Sequence, residues 1–483
     1  MTRRSGWRKG EGSVFPAGTV GLPQRDRGWA AASAPVSRWR MTSDQAPVLW
    51  PFLVGSASPT GGALIGLDLQ SGTAFYADPA GWVLDPGVRV ANPNVFVFGK
   101  PGRGKSATVK ALLLRLMPFG YRALVLGDPK DEYEPLCRAL GVQPFRIGPG
   151  LPGRINPLSL GPHARGWMSL SAMEAKAQSA VIFGRWLTLI RALVGSQTVA
   201  GRPVPFGPTE EAVTAAALRT LTGYAAANTR LTEVTLPQLW QHLHQAPGQL
   251  VDECRYRSRR HFLDDTRLLR DTLGQLVTGT LAGLFDAPTS FTVDWAAPIQ
   301  SLSLSALDGL GDQAIGTALL CLNSWGRGLR ETAQPADLRV VVRDESWKQL
   351  RLGLDAVKAF DADLRLSRST GDLQVAVAHK PSDLLTAGDS GSQAVAVAKD
   401  LLHLADIKIL HGQDPAVADD LDRLLGLGPV TLDLVTRWAM AGVGRAVWCV
   451  GDRHHQVQTV LHPAERALTD TNQTLRNHRP AQS

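Results

Sequence analysis

Short apolar runs alternate along this chain with longer stretches in which apolar residues recur every three or four positions. VFVF (95–98), ALVLG (123–127), VVV (340–342), VAVA (375–378) and AVWCV (446–450) hold no charged residue, the pattern of strands buried on both faces. PIQSLSLSAL (298–307) and IKILHG (407–412) read as two more strands. Between them the spacing predicts helices. Val109, Leu112, Leu113 and Leu116 share one face of a helix that Pro118 and Gly120 stop, and a second helix spans 313–330. Strands that alternate with helices predict a mostly parallel, doubly wound α/β sheet.

Residues 167–285 break the alternation: apolar positions keep helical spacing and strand signals are few, so a helical insertion subdomain is expected there. Residues 46–93 read as short strands and turns leading into the core, and IGPGLPGRINPL (147–158) as a loop. The expected organisation is a basic, disordered tail (1–45), the first part of the core (46–166), the helical insertion (167–285), the second part of the core (286–470) and a short tail (471–483).

Charge changes this picture at one end only. The net charge is +8, and eight basic against two acidic residues in 1–40 carry +6 of it, leaving +2 for residues 41–483. Such an arm suits nucleic acid or anionic lipid; equally it is a solvated tail, or sequence upstream of a start at Met41. ECRYRSRRHF (253–262) is a second basic patch or a solvated helix face. The cysteines, Cys137, Cys254, Cys321 and Cys449, are too far apart for a metal motif or a disulfide framework, which points to a reducing, cytoplasmic setting. No signal peptide is visible, the uncharged stretch 46–67 is broken by Pro47, Pro51 and Pro59, and Arg185 and Arg191 interrupt the apolar run 180–195. No intrinsic transmembrane segment is expected.

The chemistry starts at GKPGRGKS (99–106), which fits the phosphate-binding pattern GxxxxGK[ST] between a predicted strand and helix. Gly99, Gly102 and Gly104 allow backbone N–H groups to turn onto phosphate oxygens, with Lys100, Pro101, Arg103 and Ala107 completing the loop. Lys105 would reach the β- and γ-phosphates and Ser106 would ligate Mg²⁺. The bland alternative is a glycine turn with an incidental lysine. LRVVVRDESW (338–347) supplies the acidic element hydrolysis needs: Asp344 for Mg²⁺ and Glu345 for the attacking water. At the end of another strand, His379 is either a γ-phosphate sensor or a satisfied strand-end histidine. Arg365, Arg368, Arg445 and Arg453 are candidates for an arginine acting on a neighbouring subunit, or surface ion-pair partners.

GKPGRGKS, VLGDPKDEYEPLCRALG, RINPL, VVVRDESW, RSTGDLQVAVAHKPSDL and GDRHHQVQTVLHPAE occur in an order that resembles the conjugal-transfer ATPases of type IV secretion systems. These are motor domains of the HerA–FtsK superfamily of hexameric P-loop ATPases. The resemblance covers roughly residues 50–470 and is most specific at DPKDEYEPL and at the Asp-Glu-x-Trp of 344–347. It implies a RecA-like P-loop fold and an ATP- and Mg²⁺-dependent ATPase. It implies a homo-hexamer, with membrane-channel components and DNA as candidate partners, in the cytoplasm or at the inner face of the membrane. It assigns Lys105, Ser106, Asp344 and Glu345 the roles above, sets Asp128 and Glu132 near the nucleotide, and sets Arg368 or Arg453 near a neighbour's site. The family usually has glutamine where this chain has His379, and fewer than a hundred residues precede the P-loop, so the motor half alone is resembled. A cytoplasmic DNA translocase of the HerA or FtsK kind is the second reading. A protein that binds nucleotide for regulation or assembly, without turnover, is the third.

Overall fold

The computed structural model describes residues 59–469, apart from 162, 164–166, 201, 226–230, 293, 295, 296, 331–337 and 388–391, and a strand pair at Val20–Gly21 and Trp29–Ala30. The side chains of 168, 330, 368–370 and 387 lie outside the described residues, as do the expected tails at 1–45, that pair apart, and at 471–483.

Eleven strands form one sheet. In chain order they are β1 (Ala63–Asp68), β2 (Thr73–Ala77), β3 (Val95–Phe98), β4 (Tyr121–Asp128), β5 (Phe145–Arg146) and β6 (Ile299–Ser303). There follow β7 (Leu338–Arg343), β8 (Asp372–Ala378), β9 (Ile407–His411), β10 (Arg445–Val450) and β11 (Arg453–Thr459). Their spatial order is β2-β1-β11-β10-β9-β3-β8-β7-β4-β6-β5. The seven strands from β9 to β5 pair in parallel, and β10, β11, β1 and β2 extend the sheet as an antiparallel meander.

The period-2 geometry of strands explains why the central runs are apolar throughout. Val95 and Val97 of β3 face one side, against Val109, Leu112 and Leu116 of the helix Lys105–Leu116. Phe96 and Phe98 face the other, against Phe360 and Leu401 of the helices Leu354–Thr370 and Gln393–His403. Further along the sheet, Leu124 and Leu126 of β4 share a core with the helices of the 172–278 region and with Asp312–Arg330. That core includes Ile182, Trp186, Leu189 and Leu193 of the 24-residue helix Ala172–Gly195, whose N-terminus Ser171 and Glu174 close with a capping box. Among the described residues this is the one helix long and apolar enough to cross a membrane, and 56% of its apolar window is buried inside the protein.

β11 is the strand the sequence pattern does not announce. RHHQVQT is polar, yet His455 is buried with its Nδ1 3.0 Å from the equally buried Asp68 Oδ2 on β1. Pairing between two buried polar groups replaces the apolar alternation that marks other strands.

Candidate functional site

The strand-to-helix turn after β3 is built so that only glycine fits at key points. Gly104 stands at φ 99°, and a Cβ there would lie 2.9 Å from the backbone nitrogen of Gly444. A Cβ on Gly99 would lie 2.5 Å from that of His411, the last residue of the neighbouring strand β9. Gly99 N–H donates to the His379 carbonyl at 2.9 Å and Lys100 N–H to the Gly412 carbonyl at 2.9 Å, which fixes the loop across β8, β3 and β9. The helix Lys105–Leu116 that follows has no side-chain cap, so its first N–H groups and dipole are left for an anion.

Lys105 is buried, and its Nζ donates to the Gly99 carbonyl at 2.6 Å. Burial lowers its pKa, against the charges of Asp344, Glu345 and Glu132. Lys100 and Arg103 turn their side chains elsewhere: Lys100 pairs with Asp414 at 2.8 Å, and Arg103 Nη1 donates to the Met440 carbonyl at 2.9 Å. The Arg103 N–H donates to the Lys100 carbonyl at 3.3 Å, so both residues brace the loop through backbone and side chain alike.

The strand β7 delivers Asp344 and Glu345 to the same place. Both are buried, and the Glu345 N–H donates to Asp344 Oδ1 at 2.9 Å. Burial, with repulsion from Glu132, Glu345 and Asp128, pushes the Asp344 pKa up to about 7. Burial acts on Glu345 in the same sense, but the ammonium of Lys130 at 2.5 Å outweighs it and holds the carboxyl below its ordinary value. His379 sits between these groups, its Nδ1 3.4 Å from Lys105 Nζ and its Nε2 3.5 Å from Glu345 Oε2. Burial and the nearby Lys105 lower its pKa, against Glu345.

Together these residues line one cleft of about 570 Å³, with Pro101, Gly102, Gly104, Lys105, Ser106 and Ala107 on one wall. Lys130, Glu132, Asp344, Glu345 and His379 line the cleft as well, together with Val443, Leu461, Arg466 and Thr469. The donors fit a nucleotide with Mg²⁺: the Ser106 hydroxyl and the carboxylates are hard oxygen ligands, and Glu132 Oε2 is buried without a hydrogen-bond partner. Among the described residues no three of His, Cys, Asp and Glu make a metal site of their own, so a cation here would lean on phosphate oxygens too.

Asp128 is placed differently. Its Oδ1 accepts from the N–H groups of Lys130 and Glu132, and its Oδ2 from that of Tyr133 at 2.8 Å. Burial pushes its pKa up to about 6, against the N–H groups of Tyr133 and Glu132. It shapes the turn that presents Lys130 and Glu132, and it does not line the cleft. Arg453 does not reach the cleft of its own chain. It pairs in register with Val450, which pairs with Ile407, which pairs with Val95 at the start of β3. The P-loop follows Phe98, three residues and about 10 Å further along. Arg368 lies just ahead of β8, at the same far end of the strands, and its side chain is outside the described residues. Arg365 pairs with Asp361 at 2.8 Å, and Arg445 leans on Gln458 and the Trp438 ring. Sequence reasoning missed Lys130 and Arg466. Lys130 was legible as the one cation inside DPKDEY; nothing marked Arg466, which a C-terminal helix, Pro463–Thr469, swings to the cleft.

No protein-family model and no curated protein sequence matches the chain. Solved structures do. VirB4 of Thermoanaerobacter pseudethanolicus is 21% identical with a TM-score of 0.65, over 85% of this chain and 100% of that one. The bacterial conjugative coupling protein TrwB (TrwBdeltaN70) is 12% identical with a TM-score of 0.52, over 84% of this chain and 90% of that one. TrwB in complex with the non-hydrolysable ATP analogue ADPNP gives 12% and 0.53, over 84% and 91%. The fold is that of VirB4 and TrwB. It agrees with the mostly parallel P-loop architecture expected from the sequence.

Proposed function

We propose that this chain is an ATP-hydrolysing motor of a conjugation or type IV secretion apparatus, energising transfer of DNA or protein or assembly of the apparatus. One observation carries the reading: Lys105 and Ser106 of the P-loop and Asp344 and Glu345 at the end of a separate strand share a single cleft, on a fold that matches the whole of the solved VirB4 chain. The ATP analogue bound by TrwB supports a nucleoside triphosphate as the ligand.

The loop N–H groups and Lys105 would bind the β- and γ-phosphates. Ser106 and Asp344, with Glu132 close by, would hold Mg²⁺, which when bound would neutralise charge on the phosphate oxygens. Glu345 would accept a proton from a water whose oxygen attacks the γ-phosphorus in line; the bond to the β-bridging oxygen breaks and ADP departs with the electron pair. His379, between Lys105 and Glu345, is positioned to register the γ-phosphate. The rest of the reading is a homo-hexamer on the cytoplasmic side of the membrane. In it Arg368 or Arg453, at the far end of the strands, would serve the adjoining subunit's cleft. The helices between 167 and 285 would carry motion or contacts to the membrane channel.

The test is the steady-state ATPase rate of the full chain, with and without DNA, beside Lys105→Ala and Glu345→Gln. Turnover that vanishes in both variants supports the motor. A rate indifferent to DNA favours protein transfer or assembly over DNA translocation. Equal inertness of wild type and Glu345→Gln across a concentration series would sink the motor reading in favour of nucleotide-gated assembly.

A further inference from the structure

Glu345 has both carboxylate oxygens engaged. Oε1 accepts from Lys130 Nζ at 2.5 Å, and Oε2 accepts from the Trp347 indole N–H at 2.5 Å. Its backbone stands at φ 51°, a region a residue with a side chain occupies only when its surroundings hold it there. A carboxylate whose charge is shared with an ammonium and an indole N–H is a weaker base toward a water molecule than a free one. Lys130 differs from its partner in freedom: its side chain is 52% exposed, that of Glu345 8%. Lys130 also lines the cleft beside Lys105 and Ser106, on the turn whose N–H groups Asp128 gathers. A half-exposed ammonium therefore pairs with a buried carboxylate in the cleft where the terminal phosphate would lie.

We infer that Lys130 is a positioning residue that exchanges partners. In the nucleotide-free protein it holds Glu345; when a nucleoside triphosphate binds, its ammonium turns to the terminal phosphate and leaves Glu345 Oε1 free for water. The exchange is favourable because a terminal phosphate carries more negative charge than a carboxylate and offers three acceptor oxygens. Trp347 keeps hold of Oε2, so the released carboxylate stays in place. A diphosphate lacks the group that draws Lys130 away, so loss of the γ-phosphate restores the hold.

This inference rests on the ATP-binding reading and is tested by affinity, without turnover. Titrate wild type, Lys130→Gln, Lys130→Arg, Glu345→Gln and the Lys130→Gln/Glu345→Gln double variant with a non-hydrolysable ATP analogue and with ADP, each with Mg²⁺. Lys130→Gln should weaken the analogue relative to ADP about tenfold, the size of one charge-assisted hydrogen bond, and Lys130→Arg should retain most of the preference. Glu345→Gln, by freeing Lys130, should tighten the analogue, and the double variant should lose that gain. An unchanged analogue-to-ADP ratio in Lys130→Gln, or a gain in Glu345→Gln that survives in the double variant, overturns the exchange and leaves ATP binding intact. If wild type binds neither nucleotide, the ATP reading falls and the exchange with it.

Discussion

His411 ends strand β9 directly beneath the P-loop and is fully buried. Burial, with the nearby Lys105 charge, lowers its pKa to about 3, against a weak opposing pull from the backbone of Arg103 and Arg445. The native pKa thus lies below the unfolded one, near 6.5, and the unfolded chain takes up the proton first as pH falls. The stability tied to a neutral His411 is whole above pH ~6.5 and is lost progressively toward pH ~3. Each pH unit inside that window is worth about 1.4 kcal/mol, so moving from pH 8 to pH 5 should remove about 2 kcal/mol through this residue alone. His411→Leu abolishes the proton site while keeping the Cβ that sits under Gly99. Urea unfolding of wild type and variant at half-unit steps between pH 5 and 8 reads the effect. The wild-type midpoint should fall more steeply toward acid than the variant's, and the two curves should run parallel above pH 7. Curves parallel throughout would refute the argument, since His411 would then titrate alike folded and unfolded.

Asp344 carries the opposite sign. With its pKa raised to about 7, it favours the native state at low pH, and that contribution is lost as pH rises through 7. Asp344→Asn should therefore unfold later in urea than wild type at pH 8, by at least about 1 kcal/mol, while hydrolysis is abolished. The P-loop predicts a paired result. Gly104 and Gly120 both stand at positive φ, 99° and 89°, but a Cβ meets Gly444 at the first and nothing within 4 Å at the second. Each alanine substitution should cost about 1–2 kcal/mol of backbone strain. Only Gly104→Ala should also weaken nucleotide affinity, because it displaces the turn that carries Val443 into the cleft. Equal affinities in the two variants would show that the Gly444 contact is unimportant.

The parts of the molecule legible in the sequence are those whose physics is local. A strand covered on both faces must be apolar throughout, so β3, β4, β7, β8, β9 and β10 announce themselves, and the P-loop's glycines follow from the backbone angles it needs. What stayed hidden depends on distant partners. β11 is strand because β10 and β1 flank it and Asp68 answers His455 across the sheet. Asp128 is expected near the nucleotide, and only the fold shows that its oxygens accept from three N–H groups two to five residues on, which shapes the turn carrying Lys130 and Glu132. Arg453 follows a tight turn after β10, and only the register, from Val450 through Ile407 to Val95, shows which end of the sheet that turn occupies.

The charges gathered at the cleft lead to a last prediction. Asp128, Glu132, Asp344 and Glu345 act on Lys105, Lys110 and Lys130, and Arg466 also lines the cleft, so the site holds no surplus of positive charge before any ligand arrives. Burial first, and the repulsion of the neighbouring carboxylates second, raises the Asp344 pKa there. A metal-free triphosphate would bring about four further negative charges to the same site, where burial makes each repulsion stronger than in water. Chelating divalent cations should therefore weaken the ATP analogue by tenfold or more, and weaken ADP less. Asp344→Asn removes one of the repelling carboxylates together with a metal ligand, so its affinity in EDTA should exceed that of wild type even though it has lost activity. That crossover separates charge from shape. If the glycine loop alone held the phosphates, EDTA would leave wild-type affinity unchanged and Asp344→Asn would bind no better than wild type without metal.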